Sequence, residues 1–148
     1  SPGAMVGRVA ADPVALIGWT LADAFRALEP PQEVRAFRGA EAWQDDVVFF
    51  YAGGVYLFWY GNRVWQVRVD SSYTLTFLGL RMGDPRDNVV RTVARPYREV
   101  EGSLVFFLPD ASLVELPDGR GKGTYPLRLR VFFRDDRLVD AYLYRGDF

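Results

Sequence analysis

The strongest constraint on this fold is a pair of apolar runs, VYLFWY and RVWQVRVD, with only Gly61 and Asn62 between them. Parallel strands need a long crossover, whereas a two-residue turn joins antiparallel strands, and Gly and Asn suit the positive φ angles of such turns. The pair therefore predicts a hairpin over residues 55–70. Other short apolar runs flanked by turn residues predict further antiparallel strands: VRAFRG, DDVVFFYA, SLVFFLPD, ASLVEL, YPLRLRVFFRD and RLVDAYLYRGDF.

Helical spacing is found first ahead of these strands. Leu21, Phe25 and Leu28 recur at intervals of four and three residues, which places them on one face of a helix. Thr20 is suited to the N-cap, and Asp23 stands three residues later, in the position of a capping box. The sequence therefore predicts a short amphipathic helix that ends before the paired prolines of residues 30–31.

A second helical pattern follows the first group of strands. It is predicted to begin near Asp84 with Pro85 at its first position, where proline is favoured. Val89, Val90 and Val93 form its apolar stripe. The chain then returns to strand-like sequence, so that helix and strands occur twice in the same order.

This recurrence indicates an internal duplication. LFWYGNRVWQVRV superposes without a gap on VFFRDDRLVDAYL, so that Phe58 falls on Phe132 and Val64 falls on Leu138. The alternative is two unrelated segments that share common turn chemistry.

If the chain is an internal duplication of a helix followed by strands, its predicted fold class is α+β. Each of two tandem repeats would consist of one or two helices packed on a three- to four-stranded antiparallel meander sheet. The repeats would span residues 6–74 and 75–148. Residues 1–5, SPGAM, are typical of a cloning remnant, and a native signal or lipid anchor could have been trimmed from this end.

Composition excludes several kinds of function. The 148 residues contain no cysteine and no histidine, which rules out a Cys- or His-based nucleophile, a Ser-His-Asp triad and Cys- or His-ligated zinc within this chain. The formal net charge of −1, with acids and bases interspersed, does not favour nucleic acid or an anionic membrane as a partner. The aromatic share of 16% is high, and aromatic side chains dominate both cores and interfaces.

One segment carries a family resemblance. LRMGDPRDNVVRTVARPYREV, together with the terminal LRVFFRDDRLVDAYLY, resembles the outer-membrane assembly lipoproteins of the SmpA/OmlA (BamE) type. Two such modules in tandem resemble the β-lactamase inhibitor protein fold, in which paired sheets form a concave surface that grips a partner. The resemblance implies an envelope or surface module of a bacterium that binds proteins and catalyses nothing.

The two superposed hairpins predict which sheet face is buried. A regular two-residue turn pairs Tyr60 with Arg63, Phe58 with Trp65 and Tyr56 with Val67. This pairing puts Gln66, Arg68 and Asp70 on the same face as Leu57, Trp59 and Val64. In the second hairpin Arg128, Arg130, Phe132 and Arg134 share a face, and burying unpaired guanidinium groups there would cost several kcal/mol. By superposition, Leu57, Trp59 and Val64 should face the core.

The opposite face is the candidate binding surface. Tyr, Trp and Arg are enriched among residues that dominate binding energy, because they bury large areas and keep a hydrogen-bonding group. The predicted partner-binding residues are the aromatics of the first hairpin and the Arg/Phe side chains of the second: Tyr56, Phe58, Tyr60, Trp65, Arg128, Arg130, Phe132 and Arg134.

These observations favour a non-catalytic protein-binding module of the bacterial periplasm or outer envelope, with no cofactor and no metal. Its partner would be another protein or a second copy of the chain, and it would meet a membrane only through a trimmed N-terminal anchor. Two alternatives stay open: the aromatics could be covered by the protein itself, or the chain could carry or sense a small apolar ligand held between helices and sheet.

Overall fold

Eight strands form one continuous antiparallel sheet in the order β1-β2-β3-β4-β8-β7-β6-β5. The computed structural model describes residues 13–38, 46–115 and 122–147. The predicted remnant, residues 1–5, lies outside these ranges. A 3-10 helix, Pro13–Leu16, is followed by α1, Leu21–Ala27, and later by α2, Arg86–Val93. The strands are β1 Glu33–Phe37, β2 Asp46–Tyr51, β3 Val55–Tyr60, β4 Arg63–Asp70, β5 Tyr97–Val100, β6 Ser103–Glu115, β7 Lys122–Arg134 and β8 Arg137–Arg145.

The predicted fold class, α+β with a helix-and-sheet unit in each half, is wrong. β1 to β4 form one meander and β5 to β8 another, but β4 pairs directly with β8, so that the two meanders share a single sheet. Pairing satisfies backbone groups that would otherwise lie on two unprotected sheet edges. With only two short α-helices, of seven and eight residues, the described protein is mostly β. The proposed repeat boundaries stay a prediction.

The two helices lie on one face of this sheet. Thr20 caps α1 as predicted, since its hydroxyl accepts from the amide of Asp23 and its own amide donates to the Asp23 carboxylate at 2.9 Å. The predicted apolar face is partly wrong: Ala24 and Leu28 are buried, but Phe25 is 60% exposed. No helix in the described part of the chain is long and apolar enough to span a membrane.

The second helix begins one residue later than its predicted first position, because Pro85 is its N-cap and Arg86 its first residue. Val89 is fully buried, while Val90 and Val93 pack against the core from its margin. The helix ends at Ala94, which adopts a left-handed conformation. The valine stripe of α2 therefore lies on the core, as the spacing predicts.

The main hydrophobic core lies between the helices and one face of the sheet. The three residues assigned inward by comparison of the hairpins are confirmed there, with Leu57 and Val64 at 0% and Trp59 at 5% exposure. Both meanders contribute buried aliphatic side chains to the same cluster, among them Val67, Val69, Leu104, Leu127, Leu129, Val131, Leu138, Ala141 and Leu143. One core therefore serves the whole sheet.

A β-bulge changes the predicted register of the first hairpin. The turn pairs Tyr60 with Arg63 as expected, but Phe58 then pairs with Gln66 rather than Trp65, and Tyr56 with Arg68 rather than Val67. One extra residue in a strand reverses the faces of all residues beyond it. The prediction that Gln66, Arg68 and Asp70 face the core is therefore wrong.

Two strand predictions also need correction. SLVFFLPD and ASLVEL were predicted as separate strands, but they form the single long strand β6, with register shifts near its middle. A short outer strand, β5, pairs with the start of β6 and carries no apolar alternation that would have marked it. These differences affect the length and edge of the sheet rather than its direction of pairing.

Candidate functional site

The sheet surface opposite α1 and α2, here called the open face, carries rows of aromatic and charged side chains. The register aligns one residue from every strand into a central row that crosses the whole sheet. From β1 to β5 this central row consists of Glu33, Phe50, Tyr56, Arg68, Tyr142, Arg130, Val105 and Arg98. A parallel second row consists of Arg35, Val48, Phe58, Gln66, Tyr144, Arg128 and Phe107.

Arg68 stands at the middle of the central row, where the two meanders meet. Its guanidinium donates two hydrogen bonds to the Asp140 carboxylate on β8, from Nε at 2.9 Å and from Nη2 at 3.0 Å. The same group lies over the ring of Tyr56, 4.5 Å from its centre, and 5.4 Å from the ring centre of Tyr142. A planar guanidinium held on two sides by rings and at its edge by a carboxylate has little rotational freedom.

A second polar group lies beside this cation. The Tyr56 hydroxyl donates to the carboxylate of Asp70, which also accepts from the Ser72 amide at 2.8 Å and from the Ser72 hydroxyl. Burial and this hydrogen bond raise the pKa of Tyr56 to about 12. Burial alone would raise the pKa of Asp70, but the hydrogen bonds from Ser72 and Tyr56 outweigh it and lower that pKa below its ordinary value. Asp70 is thus an ionised acceptor at neutral pH.

Tyr142 connects the aromatic side chains of the two hairpins. Its ring centre lies 6.5 Å from that of Phe58 on β3 and 5.8 Å from that of Phe132 on β7. Trp65, the extra residue of the bulge, meets Phe58 edge-on at 6.3 Å. Contacts of this geometry favour association of rings beyond the area they bury. The aromatic side chains therefore form a connected cluster rather than isolated rings.

On the β6 side of the sheet, arginines cover the rings. The guanidinium of Arg128 lies 4.6 Å from the ring centre of Phe107, and that of Arg130 lies 4.9 Å from the ring centre of Phe132. Arg130 also donates to the Ser103 hydroxyl at 2.8 Å, and Arg128 donates to the Leu127 carbonyl at 3.0 Å. Both guanidinium groups are thus hydrogen-bonded to uncharged acceptors. Their positive charge can therefore act on a molecule bound to the open face.

Two valines within these rows are buried by the side chains around them. Val48 and Val105 are 4% and 5% exposed, yet neither belongs to the main core cluster on the helix side. Both occupy open-face positions of the register, Val48 beside Phe58 and Val105 beside Arg130. The long side chains of the open face therefore bury apolar surface of their own.

The structure brings together six of the eight predicted site residues. Tyr56, Phe58, Trp65, Arg128, Arg130 and Phe132 lie on the open face and are half-buried. Tyr60 and Arg134 are exposed beside the two turns, which lie at opposite ends of the sheet. These two residues therefore lie far from each other.

Arg68, Asp140 and Tyr142 were missed as site residues. The bulge hid Arg68, because regular alternation from the turn places it inward. Gln66 and Asp140 also lie on the open face, although regular alternation places Gln66 inward. The gapless superposition places Arg68 on Tyr142, so the two residues hold equivalent positions in their hairpins.

A cleft of about 560 Å³ opens at one end of this face, where β2 turns into β3. Its lining combines aromatic rings, carboxylates and the turn glycines: Gln32, Glu33, Phe50, Tyr51, Gly53, Gly54, Tyr56, Asp70 and Ser72. The cleft lies on the open face and not between helices and sheet, where the small-ligand alternative had placed its ligand. In the described ranges no group of three or more acidic side chains is arranged to hold a metal ion.

Comparison with known proteins identifies structural neighbours only. No protein-family model and no curated protein matches the sequence. The structure is similar to an extracellular protein containing an SCP domain from Bacillus anthracis, with a TM-score of 0.54 and 11% identity over 89% of this chain. It is also similar to a cysteine-rich secretory protein from Staphylococcus aureus, with a TM-score of 0.53 and 13% identity over 89% of this chain.

These likenesses show a shared fold. The chain spans 45% and 44% of the two neighbours, which is less than half of each. Both neighbours are bacterial proteins whose names place them outside the cell. They neither support nor oppose the resemblance to SmpA/OmlA-type modules, which stays a prediction.

Proposed function

We propose that this protein is a non-catalytic binding module whose open face docks another protein. The central row carries this proposal, because it crosses all eight strands with aromatic or charged side chains on every strand but β6, and no described helix covers it. The helices lie on the opposite face, over the main core. The surface thus extends across eight strands, a breadth that a protein partner requires and a small ligand does not.

The side chains of this surface are held in place before a partner arrives. Arg68 is fixed by Asp140 and two rings, and Tyr56 by Asp70. Ordering a free arginine or tyrosine on binding costs roughly 0.5–1.5 kcal/mol for each side chain. Side chains that are already ordered avoid much of that cost, which supports a role in recognition.

The charges of the surface suggest the chemistry of its partner. Arg68 is neutralised within the chain by Asp140, whereas neutral groups hold Arg128 and Arg130. A partner that places carboxylates over β6 and β7, and apolar or aromatic side chains over Phe58 and Tyr142, would match the face.

The proposed location is the periplasm or outer surface of a bacterium. The resemblance to envelope lipoproteins supports it, and so does the extracellular nature of both structural neighbours. In this setting the module would hold a second protein in place rather than act on it.

The proposal is tested by capture of proteins from a bacterial envelope extract on the immobilised chain. We expect the double substitution Arg128→Glu and Arg130→Glu to weaken capture at least tenfold, because it reverses two charges over β7. Trp65→Ala, which removes an aromatic side chain of the first hairpin, should also weaken capture.

The matched control is Arg26→Glu, a charge reversal on α1 at a side chain that is 75% exposed on the opposite side of the sheet. It should capture as well as the unmodified chain. Thermal unfolding of each variant separates lost binding from lost folding. Undiminished capture by the open-face variants, with their folding intact, would rule out this face as the binding surface.

A further inference from the structure

The outer strand β1 has no neighbour on one of its sides within the described structure. It pairs with β2 over five residues without a register shift, and all five of its residues are exposed. A straight outer strand offers a row of backbone donors and acceptors that can pair with another strand. Short length, charged side chains and bulges usually guard such edges, and of these β1 has its modest length and the charges of Glu33 and Arg35.

The side chains of β1 are complementary to a second copy of the same strand. Glu33 and Arg35 lie on the open face, and their side chains meet at 2.6 Å. If two copies pair antiparallel with Val34 opposite its own counterpart, each Glu33 stands opposite Arg35 of the other copy. Opposite charges placed directly across two strands favour pairing.

The neighbouring registers lack this match. A shift that keeps the faces aligned moves the pairing by two residues, since side chains alternate with period two. One such shift sets Glu33 opposite Glu33 of the other copy, and the other sets Arg35 opposite Arg35. The charges therefore select one register of the symmetric pair.

The helix side of the same edge leaves apolar surface uncovered. Val34 is 54% exposed, Phe25 is 60% exposed and Val47 is 42% exposed. Phe25 packs on Phe49, whose ring centre is 6.0 Å away, and Phe49 is the cross-strand partner of Val34. Exposed apolar side chains grouped at one edge are typical of an interface.

The other outer strand, β5, lacks the charge match. On its open face Arg98 alternates with Val100, so a symmetric pairing sets charge against an apolar side chain or like against like. We infer that the protein forms a twofold dimer in which β1 pairs antiparallel with β1 of a second copy in the Val34-centred register, joining two sheets into one. This inference does not depend on the proposed binding function of the open face.

The test uses the full chain and two single charge reversals, Glu33→Arg and Arg35→Glu. Sedimentation velocity over a series of concentrations should give twice the chain mass of 16.8 kDa for the unmodified protein. Each reversal sets two pairs of like charges across the junction, so each should weaken the dimer about tenfold or more. Arg98→Glu on β5 is the matched control and should leave the dimer unchanged.

Mixing the two variants gives the sharper result. One chain then carries two arginines on β1 and the other carries two glutamates, so all cross-strand pairs become opposite in charge. Native mass spectrometry separates the mixed dimer from the two unmixed ones by mass, and the mixed dimer should predominate. The same measurement shows that each variant is folded and able to pair.

Three outcomes would overturn the inference. The unmodified chain could sediment as a monomer at all concentrations, which would mean that β1 does not pair. The charge reversals could leave the dimer intact, which would place the interface elsewhere. The mixture could show no preference for the mixed dimer, which would exclude the Val34-centred register.

Discussion

The hairpins β3–β4 and β7–β8 share their backbone and differ in the surface that they present. Each has a bulge at the same superposed place, where Trp65 and Val139 are the extra residues. In each, the first arginine of the second strand donates to a glycine carbonyl ahead of the helix, Arg63 to Gly18 at 3.0 Å and Arg137 to Gly83 at 3.2 Å.

The open face, by contrast, carries Tyr56 and Phe58 in one hairpin and Arg130 and Phe132 at the superposed positions of the other. The backbone contacts that set each hairpin beside its helix are thus kept, while the surface side chains vary. A common frame therefore supports two chemically different halves of one face.

The largest expected effect on stability comes from the core positions that the two hairpins share. Val64 and Leu138 occupy superposed core positions and are 0% and 1% exposed. Leu138→Ala should destabilise the protein by about 2–5 kcal/mol, and Val64→Ala should cost less because it removes fewer buried atoms. Urea unfolding measures both. A loss below 1 kcal/mol at Leu138 would show that its site is not part of the core described here.

A smaller effect is expected where the two hairpins meet. Arg68→Met leaves Asp140 half-buried without its cation, and it should destabilise the protein by about 1–3 kcal/mol. Arg35→Met breaks an ion pair that is much more exposed and should cost less than about 1 kcal/mol. A double-mutant cycle with Asp140→Asn isolates the coupling between strands, and a coupling near zero would contradict the role of this pair.

The turns provide a still smaller test. Asp135 and Asp136 have φ angles of 50° and 62°, and Gly61 and Asn62 have 54° and 68°. Because the left-handed conformation costs a residue with a Cβ about 1 kcal/mol, Asp136→Gly should stabilise the protein by about that amount. Thermal unfolding would show it.

Asn62→Gly is the matched change in the other turn. Its gain should be smaller, since asparagine tolerates this conformation and the side-chain Oδ1 of Asn62 accepts from the Leu21 amide at 3.3 Å. Equal gains in both turns would show that the Asn62 contact adds nothing to stability.

The smallest expected effect is on stability at high pH, and it is absent at neutral pH. The pKa of Tyr56 is raised to about 12 from an ordinary value of 10.0, so folding favours its protonated form. Its contribution to stability is complete below pH 10 and is lost as the pH rises toward 12. Tyr56→Phe should therefore reduce the loss of stability in this range, as measured by urea unfolding at successive pH values.

Arg130 stands at the superposed position of the second hairpin and has no phenolic hydroxyl. Arg130→Met should leave the alkaline slope unchanged. An equal change of slope in both variants would show that Tyr56 is not its source.

The core-facing residues could be predicted from the sequence because the alternation patterns of the two hairpins were read together. The first hairpin is apolar on both faces, so its alternation alone is ambiguous. The arginines of the second hairpin identified its solvent side, and superposition transferred that answer to Leu57, Trp59 and Val64. Most of the predicted binding residues lie on the open face for the same reason.

Other features could not be predicted from local patterns. The bulge at Trp65 adds a residue without any turn signal, so the faces of Gln66 and Arg68 were reversed. The pairing of β4 with β8 joins strands far apart in sequence, and nothing in either strand marks its partner. Phe25 has helical spacing, but it lies toward the outer strand, where no described element covers it.

The strand order also bears on how the chain folds. Every neighbouring pair in the sheet joins strands consecutive in sequence, except β4 and β8, where Arg68 and Asp140 are 72 residues apart. Local pairings form quickly, whereas closing a long loop must be completed before its contacts contribute. Each meander can therefore form early, and the joining of β4 to β8 is the slow event. Since the central row exists only after that event, the surface for a partner is completed last.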